Sequence, residues 1–261
     1  MRFSIITVSY NAGDKLIETV KSILCQTYKN IEVIVKDGGS TDGSLDKVKE
    51  LSDERVKVYS SKDKGIYDAM NEAVQYASGD YVIFLNAGDF FFNERVLEKV
   101  AKTNPPLKNT IIYGDTYFVR SESLSPAPPK ITGSVCYRNI PCHQAILYSR
   151  DTLLERGFDI SYRIRADFEH FSYSFFKGGR DFKYLGFPIC LYEGGGYSES
   201  KENRKKDRLE YNRAVKANIP LINRFFYRFI LIVTLHKLRG LIANNPTTAA
   251  FYQKIKGKLY R

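Results

Sequence analysis

Apolar stretches of strand length alternate with amphipathic stretches of helix length through the first hundred residues. The apolar stretches predict strands at 3–8, 31–35, 56–59 and 81–85. Between them, apolar residues recur every three or four positions, as at Ala69, Met70 and Ala73 in a helix predicted at 66–76. Strands separated by such helices predict βαβ units, and therefore an α/β fold with a mostly parallel sheet flanked by helices.

The pattern is less regular after residue 105, although further elements are predicted there. Short strands are predicted at 111–113, 117–119, 145–148 and 188–192. A helix at 167–176 would bury Phe168, Phe171 and Phe175 on one face. A chain of 261 residues is long enough for one large α/β domain with an appendage.

Polar residues follow three of the predicted strands at the point where each strand ends. Tyr10 and Asn11 come after the first strand, Asp37 after the second, and Asp89 shortly after the fourth. Open α/β sheets bind their ligands at this carboxyl edge, where an aromatic ring can stack on a base and carboxylates can hold a base or a metal. Taken singly, a strand-end aspartate is about as often a turn residue or a helix N-cap.

Two common phosphate-binding motifs are absent from the sequence. No GxxxxGK[ST] loop is present, and no GxGxxG follows the first strand. Their absence argues against a P-loop kinase and against a dinucleotide-dependent oxidoreductase. It leaves nucleotide-sugar chemistry, in which a metal ion rather than a glycine-rich loop neutralises the diphosphate.

Seven motifs occur in a characteristic order. They are SIITVSYN at 4–11, DGGSTDG at 37–43, DKGIYDAMN at 63–71, ASGDY at 77–81, NAGD at 86–89, HQA at 143–145 and IRAD at 164–167. Their order and spacing resemble those of the inverting family-2 glycosyltransferases with the GT-A (Rossmann-like) fold. The match covers about residues 3–200 and is similar to the branch that builds bacterial exopolysaccharide, capsule and O-antigen.

The resemblance implies a role for individual residues of the nucleotide site. Tyr10 would pack on the base and Asp37 would bind the uracil imide, which makes a UDP-sugar the expected donor. Asp68 is expected to contact the donor, although a carboxylate in the first turn of a helix needs no such role. The full set of nucleotide-binding residues implied is Thr7, Ser9, Tyr10, Asn11, Asp37, Gly65, Asp68 and Asn86.

Asp89 matches the last acidic residue of the DxD-like metal motif and would ligate Mn²⁺ or Mg²⁺. The chain departs from the commoner pattern at the other two positions, which are Asn86 and Gly88. An amide adds no charge, so weaker metal affinity than usual is expected. Asp37 is likewise followed by Gly38, where many relatives have a second aspartate.

Asp167 is the general base that the resemblance implies, at the start of a helix below the acceptor. Inversion needs one base to take the proton of the acceptor hydroxyl. A plain N-cap is the alternative role for Asp167, and Glu169 is a fallback base that would point away from it. Contacts to the acceptor or the diphosphate are expected from Asp115, His143, Gln144 and Tyr197. A structural role for His143, and a simple hinge at 194–198, remain alternatives.

The charge of the chain is concentrated at its C-terminal end. Residues 1–200 carry 25 Lys and Arg against 26 Asp and Glu, whereas residues 201–261 carry 15 against 3. The apolar run 229–235 is too short to span a bilayer, so an interfacial helix at 220–240 on an anionic membrane surface is expected. A helix packed on the domain or on a partner is the alternative. No recognised nucleic-acid-binding motif is present, so no nucleic-acid partner is expected.

The predicted organisation has two parts. A glycosyltransferase domain at 1–200 contains a nucleotide-binding half at 1–105 and an acceptor-binding half at 106–200, and a basic amphipathic helical tail occupies 201–261. Four cysteines without metal-ligand spacing and no visible signal peptide predict a cytoplasmic protein, peripheral on the inner face of the cell membrane.

The function expected is transfer of one sugar, with inversion, from a nucleotide-sugar to a glycan acceptor carried on a polyprenyl diphosphate. A catalytically degenerate domain that serves as a membrane-bound assembly partner is one alternative, because Asn86 and Gly88 stand in the metal motif. A sugar nucleotidyltransferase is another. It would need a glycine-rich loop with Arg or Lys after the first strand, and the segment 11–14 is not such a loop.

Overall fold

The computed structural model describes residues 1–194 and 202–233 and has a nine-stranded sheet at its centre. The strands are β1 (Phe3–Ser9), β2 (Ile31–Asp37), β3 (Val56–Ser60), β4 (Tyr81–Phe84), β5 (Phe90–Phe91), β6 (Thr110–Phe118), β7 (Ser123–Ser125), β8 (Ile146–Ser149) and β9 (Asp181–Tyr192). The helices are α1 (Asp14–Leu24), α2 (Ser44–Lys49), α3 (Ile66–Tyr76), α4 (Val96–Lys102), α5 (Gly133–Arg138), α6 (Arg150–Glu155), α7 (Ala166–Phe176), α8 (Arg204–Asn218) and α9 (Leu221–Val233). A single 3-10 turn at His143–Ala145 precedes β8.

The sheet is parallel in its first half and mixed in its second. Its strand order is β3-β2-β1-β4-β8-β6-β9-β5, with β7 beside β6. The strands β3, β2, β1 and β4 are mutually parallel, whereas β8 runs antiparallel to both of its neighbours, β4 and β6. The α/β fold is as expected, and the parallel sheet predicted from the βαβ pattern is found where that pattern is regular.

Helices cover both faces of the parallel half, which explains the continuous apolar strands. All seven residues of β1 and of β2 are buried. Apolar residues of α1, α2 and α4 pack on one face, and those of α3, α7 and α8 pack on the other. Strands buried on both faces lack the alternation of apolar and polar residues that marks a half-exposed sheet.

The second half contains the main differences from the predicted elements. The strands expected at 111–113 and 117–119 are one strand, β6, interrupted by irregular pairing around Asp115. Gly114 is required there, because a Cβ atom at this position would lie 2.5 Å from Cγ1 of Ile189. The strand β9 begins seven residues earlier than predicted, and the helix α5 was not predicted.

The basic tail begins with a helix that is part of the packed structure. Ala214 and Val215 of α8 lie in the same apolar cluster as Phe168 of α7. The next helix, α9, packs against α5, with Tyr137 and Tyr227 in ring contact at 5.8 Å. Among the described residues, no helix is both long and apolar enough to cross a bilayer.

Candidate active site

The parallel register brings the polar strand ends together at one edge. Ser9 is paired with Asp37, and Asp37 with Ser60. The buried carboxylate of Asp37 accepts hydrogen bonds from the amides of Gly39 and Ser40, both at 2.8 Å, and from the hydroxyls of Ser40 and Ser60. Burial alone raises the pKa of Asp37, but these hydrogen bonds outweigh it and hold the pKa below its usual value.

The loop after β1 is fastened to the loop after β2. Asn11 has a positive φ of 47°, its amide donates to the hydroxyl of Ser40, and its side-chain oxygen accepts from the amide of Thr41. Asp42 accepts a hydrogen bond from the amide of Gly13 at 2.8 Å. The side chains of Asn11 and Asp37 therefore hold the loops of this edge in place. Their expected contacts to a nucleotide stay predictions.

Tyr10 presents a free aromatic surface beside this edge. Its side chain is 69% exposed, which is unusual for a ring next to a buried strand. A Cβ atom at Gly38 would lie 3.3 Å from the Tyr10 ring and 2.9 Å from a carboxylate oxygen of Asp63. The carboxylate of Asp63 thus occupies space that a larger side chain at position 38 would need. Nζ of the buried Lys36 lies 3.7 Å from a carboxylate oxygen of Asp63.

The remaining residues of the predicted nucleotide site divide into two kinds. The buried hydroxyls of Thr7 and Ser9 have no hydrogen-bond partner among the described residues. Asp68 closes the turn before α3, since it accepts from the amide of Lys64 at 2.8 Å, and Gly65 has a φ of 127° that favours glycine. The geometry of Asp68 is that of a residue which starts a helix.

A cleft of about 720 Å³ lies next to this edge and is lined by five of the other predicted residues. Asn86, Asp89 and Gln144 line it on the side of β4, and His143 and Asp167 also line it. Gln144 donates to a carboxylate oxygen of Asp89 at 3.1 Å. Burial raises the pKa of Asp89 to about 6, because that one side-chain hydrogen bond only partly compensates for the loss of water.

Asn86 and Asp89 suit a divalent cation whose other ligands come from a substrate. The side-chain oxygen of Asn86 is buried and has no partner among the described residues. Within 1–194 and 202–233, no group of three His, Cys, Asp or Glu residues is arranged to hold a metal. Mg²⁺ is commonly held by one or two protein oxygens together with phosphate oxygens and water, so this pair fits such an ion.

Asp167 lies in the first turn of α7 and lines the cleft. The hydroxyl of Tyr67 lies 2.7 Å from the carbonyl oxygen of Ile164 and 3.0 Å from a carboxylate oxygen of Asp167, and its one proton is shared between these two acceptors. Burial and the nearby charge of Asp167 raise the pKa of Tyr67 far above its usual value, which keeps this hydroxyl protonated as a donor. Tyr67 was not predicted as a site residue, although it lies inside the 63–71 motif.

The segment before Asp167 is held by acids of the basic tail. The carboxylate of Glu210 in α8 accepts hydrogen bonds from three successive backbone amides, those of residues 163–165, at 2.8 to 3.0 Å. Asp207 forms a two-pronged ion pair with Arg165. Neither residue was predicted to support the site, although they are two of only three acidic residues in 201–261.

His143 stacks on Phe84, with ring centres 5.2 Å apart, and its Nδ1 lies 3.5 Å from the hydroxyl of Tyr148. Its Nε2 has no partner among the described residues. Burial lowers the pKa of His143, although the charge of Asp167 opposes this effect. A neutral imidazole therefore faces the cleft at neutral pH, where it can donate or accept a hydrogen bond.

Two other candidate carboxylates already form hydrogen bonds or an ion pair within the protein. Asp115 accepts hydrogen bonds from the amide of Ala127 at 2.8 Å and the hydroxyl of Tyr184 at 2.6 Å. Glu169 is 3% exposed, and both of its carboxylate oxygens accept from one terminal nitrogen of Arg156, so it points away from Asp167 as expected for the fallback base. The predicted contact Tyr197 and the part of the expected membrane helix beyond 233 lie outside the described residues.

The fold is similar to that of solved GT-A glycosyltransferases. It matches residues 1–349 of S. aureus TarS in complex with UDP, with a TM-score of 0.66, 19% identity and coverage of 84% of this chain and 65% of that one. It also matches the mannosyltransferase PcManGT of Pyrobaculum calidifontis in complex with GDP-Man and Mn²⁺, with a TM-score of 0.64, 17% identity and coverage of 100% and 81%. The class of the protein is therefore that of the GT-A fold.

The family follows from the sequence itself, because residues 4–183 match the model of Glycosyl transferase family 2. The chain belongs to this family and is a glycosyltransferase. It is 29% identical over 232 residues to a PGL/p-HBAD biosynthesis glycosyltransferase of Mycobacterium bovis, covering 85% of this chain and 90% of the relative. It is also 35% identical over 152 residues to the Escherichia coli UDP-Glc:alpha-D-GlcNAc-diphosphoundecaprenol beta-1,3-glucosyltransferase WfgD, covering 55% and 59%.

Proposed function

We propose that this protein transfers a single sugar, with inversion, from a UDP-sugar to a glycan acceptor on a polyprenyl diphosphate, in the synthesis of a bacterial surface polysaccharide. The observation that carries the proposal is the placement of Asp89 and Asp167 in one cleft, beside the edge that bears Tyr10. The activity named for the E. coli relative supports the donor and the acceptor class.

The donor lies along the carboxyl edge of the parallel strands. The exposed ring of Tyr10 stacks on the base, and the unpartnered hydroxyls of Thr7 and Ser9 are free to hydrogen-bond the nucleoside. Oδ2 of Asp37 already accepts three hydrogen bonds, whereas Oδ1 accepts one, from the hydroxyl of Ser40. Asp37 can therefore reach the base only through Oδ1. The loop geometry and the base contact therefore depend on one carboxylate.

Asp89 and Asn86 would hold Mn²⁺ or Mg²⁺ together with the diphosphate. When bound, the ion supplies positive charge to the departing nucleoside diphosphate. Gln144 fixes the orientation of Asp89 by its hydrogen bond at 3.1 Å, and the lack of a second carboxylate makes the site depend on the phosphates for its remaining ligands.

Asp167 accepts the proton of the acceptor hydroxyl as the hydroxyl oxygen attacks the anomeric carbon. The bond from the anomeric carbon to the diphosphate oxygen breaks on the opposite face, which inverts the configuration. Tyr67 holds one oxygen of Asp167 and leaves the other for the acceptor. The position of Asp167 in the first turn of α7 stabilises the carboxylate until it takes the proton.

A second candidate function is that of a degenerate domain acting as an assembly partner. Asn86 and Gly88 motivate it, since they remove two charges from the usual metal motif. Calorimetric titration with UDP, GDP and dTDP, each with and without Mn²⁺, distinguishes the two. We expect UDP to bind in a Mn²⁺-dependent manner. Failure of every nucleotide to bind would overturn the enzyme proposal, and nucleotide binding without turnover of any donor would favour the assembly partner.

The helix α9 provides a surface for an anionic membrane on the cytoplasmic side. Its exposed apolar residues are Leu221, Ile222, Phe225, Phe226, Phe229 and Ile232, which are 59 to 77% exposed. These residues recur with helical spacing, and Arg224 and Arg228 lie among them. An apolar face with arginines beside it is typical of helices that lie in the interface of anionic bilayers.

Substitution of Phe225 and Phe229 by serine tests this surface. We expect the double variant to lose binding to phosphatidylglycerol vesicles, because it removes apolar area without changing charge. Leu209→Ser is the matched control, since Leu209 is 61% exposed on α8. Equal sedimentation of the double variant and the wild type with vesicles would contradict the membrane role of α9.

A further inference from the structure

The cationic residues of the cleft differ in how many of their side-chain donors are already used. Lys15 lies 3.9 Å from Glu193, and Arg165 is paired with Asp207. Arg163 donates to the carbonyl oxygen of Lys64. Arg138 also lines the cleft, is exposed, and makes no hydrogen bond or ion pair within the described parts of the chain. A guanidinium with all its donors free is a ready partner for a phosphate group.

The position of Arg138 connects the candidate base with the apolar helix. It is the last residue of α5, which packs against α7, the helix of Asp167. The same short helix packs against α9, because the neighbouring Tyr137 contacts the ring of Tyr227. The wall of the cleft beside Arg138 includes the apolar residues Val135 and Ile140. The short helix α5 therefore contacts both the helix of the candidate base and the apolar helix, and it contributes Arg138 to the lining of the cleft.

We infer that Arg138 is the binding site for the diphosphate of the lipid-linked acceptor. The acceptor hydroxyl lies at Asp167, its phosphates lie against Arg138 at the rim formed by α5, and its lipid continues towards the exposed face of α9. This inference rests on the proposed function for the identity of the acceptor. It adds the residue that recognises the acceptor by charge, which no motif of the sequence identified.

The donor diphosphate is the other source of the same chemistry, and the structure favours the acceptor. The residues expected to hold the donor diphosphate, Asn86 and Asp89, follow β4, whereas Arg138 belongs to α5 beside α7 and α9. In a lipid-linked sugar the diphosphate lies between the sugar and the lipid. Arg138 is on the helix that contacts both α7, which carries the candidate base, and the apolar helix α9. The experiment has separate arms for the two sources.

Calorimetric titration of the whole protein with farnesyl diphosphate and, separately, with UDP and Mn²⁺ tests the assignment. We expect Arg138→Gln to weaken farnesyl diphosphate about tenfold, since a charge-assisted contact is lost, and to leave UDP unchanged. Arg138→Lys should restore part of the affinity. Arg208→Gln is the matched control, because it removes the same charge from an exposed position on α8, and it should bind farnesyl diphosphate like the wild type.

Four results would overturn the inference. The first three are no binding of farnesyl diphosphate by the wild type, equal binding by Arg138→Gln, and an equal loss in Arg208→Gln, which would mean a general charge effect. Weaker UDP binding in Arg138→Gln would also overturn it, by assigning the residue to the donor. If UDP fails to bind the wild type, the proposed function fails, and the farnesyl diphosphate arm still reports on Arg138 by itself.

Discussion

Asp37 and Asp89 are both buried aspartates at the same edge of the parallel sheet, yet their surroundings have opposite effects. Four hydrogen bonds from its own loop and from Ser60 hold the pKa of Asp37 below the usual value. Asp89 receives one side-chain hydrogen bond, from Gln144, and burial raises its pKa to about 6. A carboxylate satisfied by the protein stabilises the fold, whereas one left partly unsatisfied is available to a ligand.

The largest expected effect is on the rate of transfer, from substitution of a third aspartate, Asp167. Asp167→Asn should lower transfer by about 10²–10⁴-fold, because an amide cannot take the acceptor proton. UDP binding should not change, since Asp167 is neither one of the residues expected to hold the nucleotide nor a ligand of the candidate metal site. Turnover of a UDP-sugar by wild type and variant, with calorimetry of UDP as the control, measures both effects. Unchanged transfer would remove Asp167 as the base.

Asp89→Asn should abolish Mn²⁺-dependent UDP binding, because it removes the only carboxylate of the candidate metal site. Addition of EDTA to the wild type should have the same effect. The variant should unfold at the same temperature as the wild type or higher, since a poorly compensated buried charge is removed. Asp46→Asn, at an exposed position of α2, is the control. A marked loss of stability in Asp89→Asn would contradict the comparison.

Asp37→Asn should destabilise the protein by about 1–3 kcal/mol, because an amide group replaces an acceptor that faces donors. The lowered pKa of Asp37 in the folded state means that its contribution is present above pH about 4 and is lost as the pH falls further. The difference between the unfolding free energies of wild type and variant should therefore shrink in acid. Urea unfolding at pH 7 and pH 3.5 measures it, and a constant difference would show that the charge of Asp37 is not the cause.

Tyr67→Phe should have the smallest effect, about a tenfold loss of kcat with unchanged UDP affinity. The variant loses the hydrogen bond that holds Asp167 but keeps the buried ring. Tyr76→Phe, on the same helix, is the control. An unchanged kcat in Tyr67→Phe would indicate that Tyr67 has only a packing role.

Features that depend on neighbouring residues in the sequence were predicted more accurately than features that depend on contacts between distant segments. The bounds of α3 agree with the structure, and those of β1 and β2 differ only at their ends, because apolar periodicity is a local signal. The strand β6 was predicted as two strands, since the contact of Gly114 with Ile189 that explains its bulge joins residues 75 positions apart. The helix α5, which carries Arg138, has too few apolar residues to show a period.

Sequence alone determined the family, the parallel half of the sheet and the set of polar strand ends, because each of these is written in short motifs and local patterns. The tertiary structure decided how those groups differ. It gave Asp37 four hydrogen bonds and Asp89 one from a side chain, placed Tyr67 against Asp167 across 100 residues, and let Glu210 of the basic tail hold the segment before the candidate base. These contacts depend on burial and on hydrogen bonds between distant segments, which only the folded chain brings together.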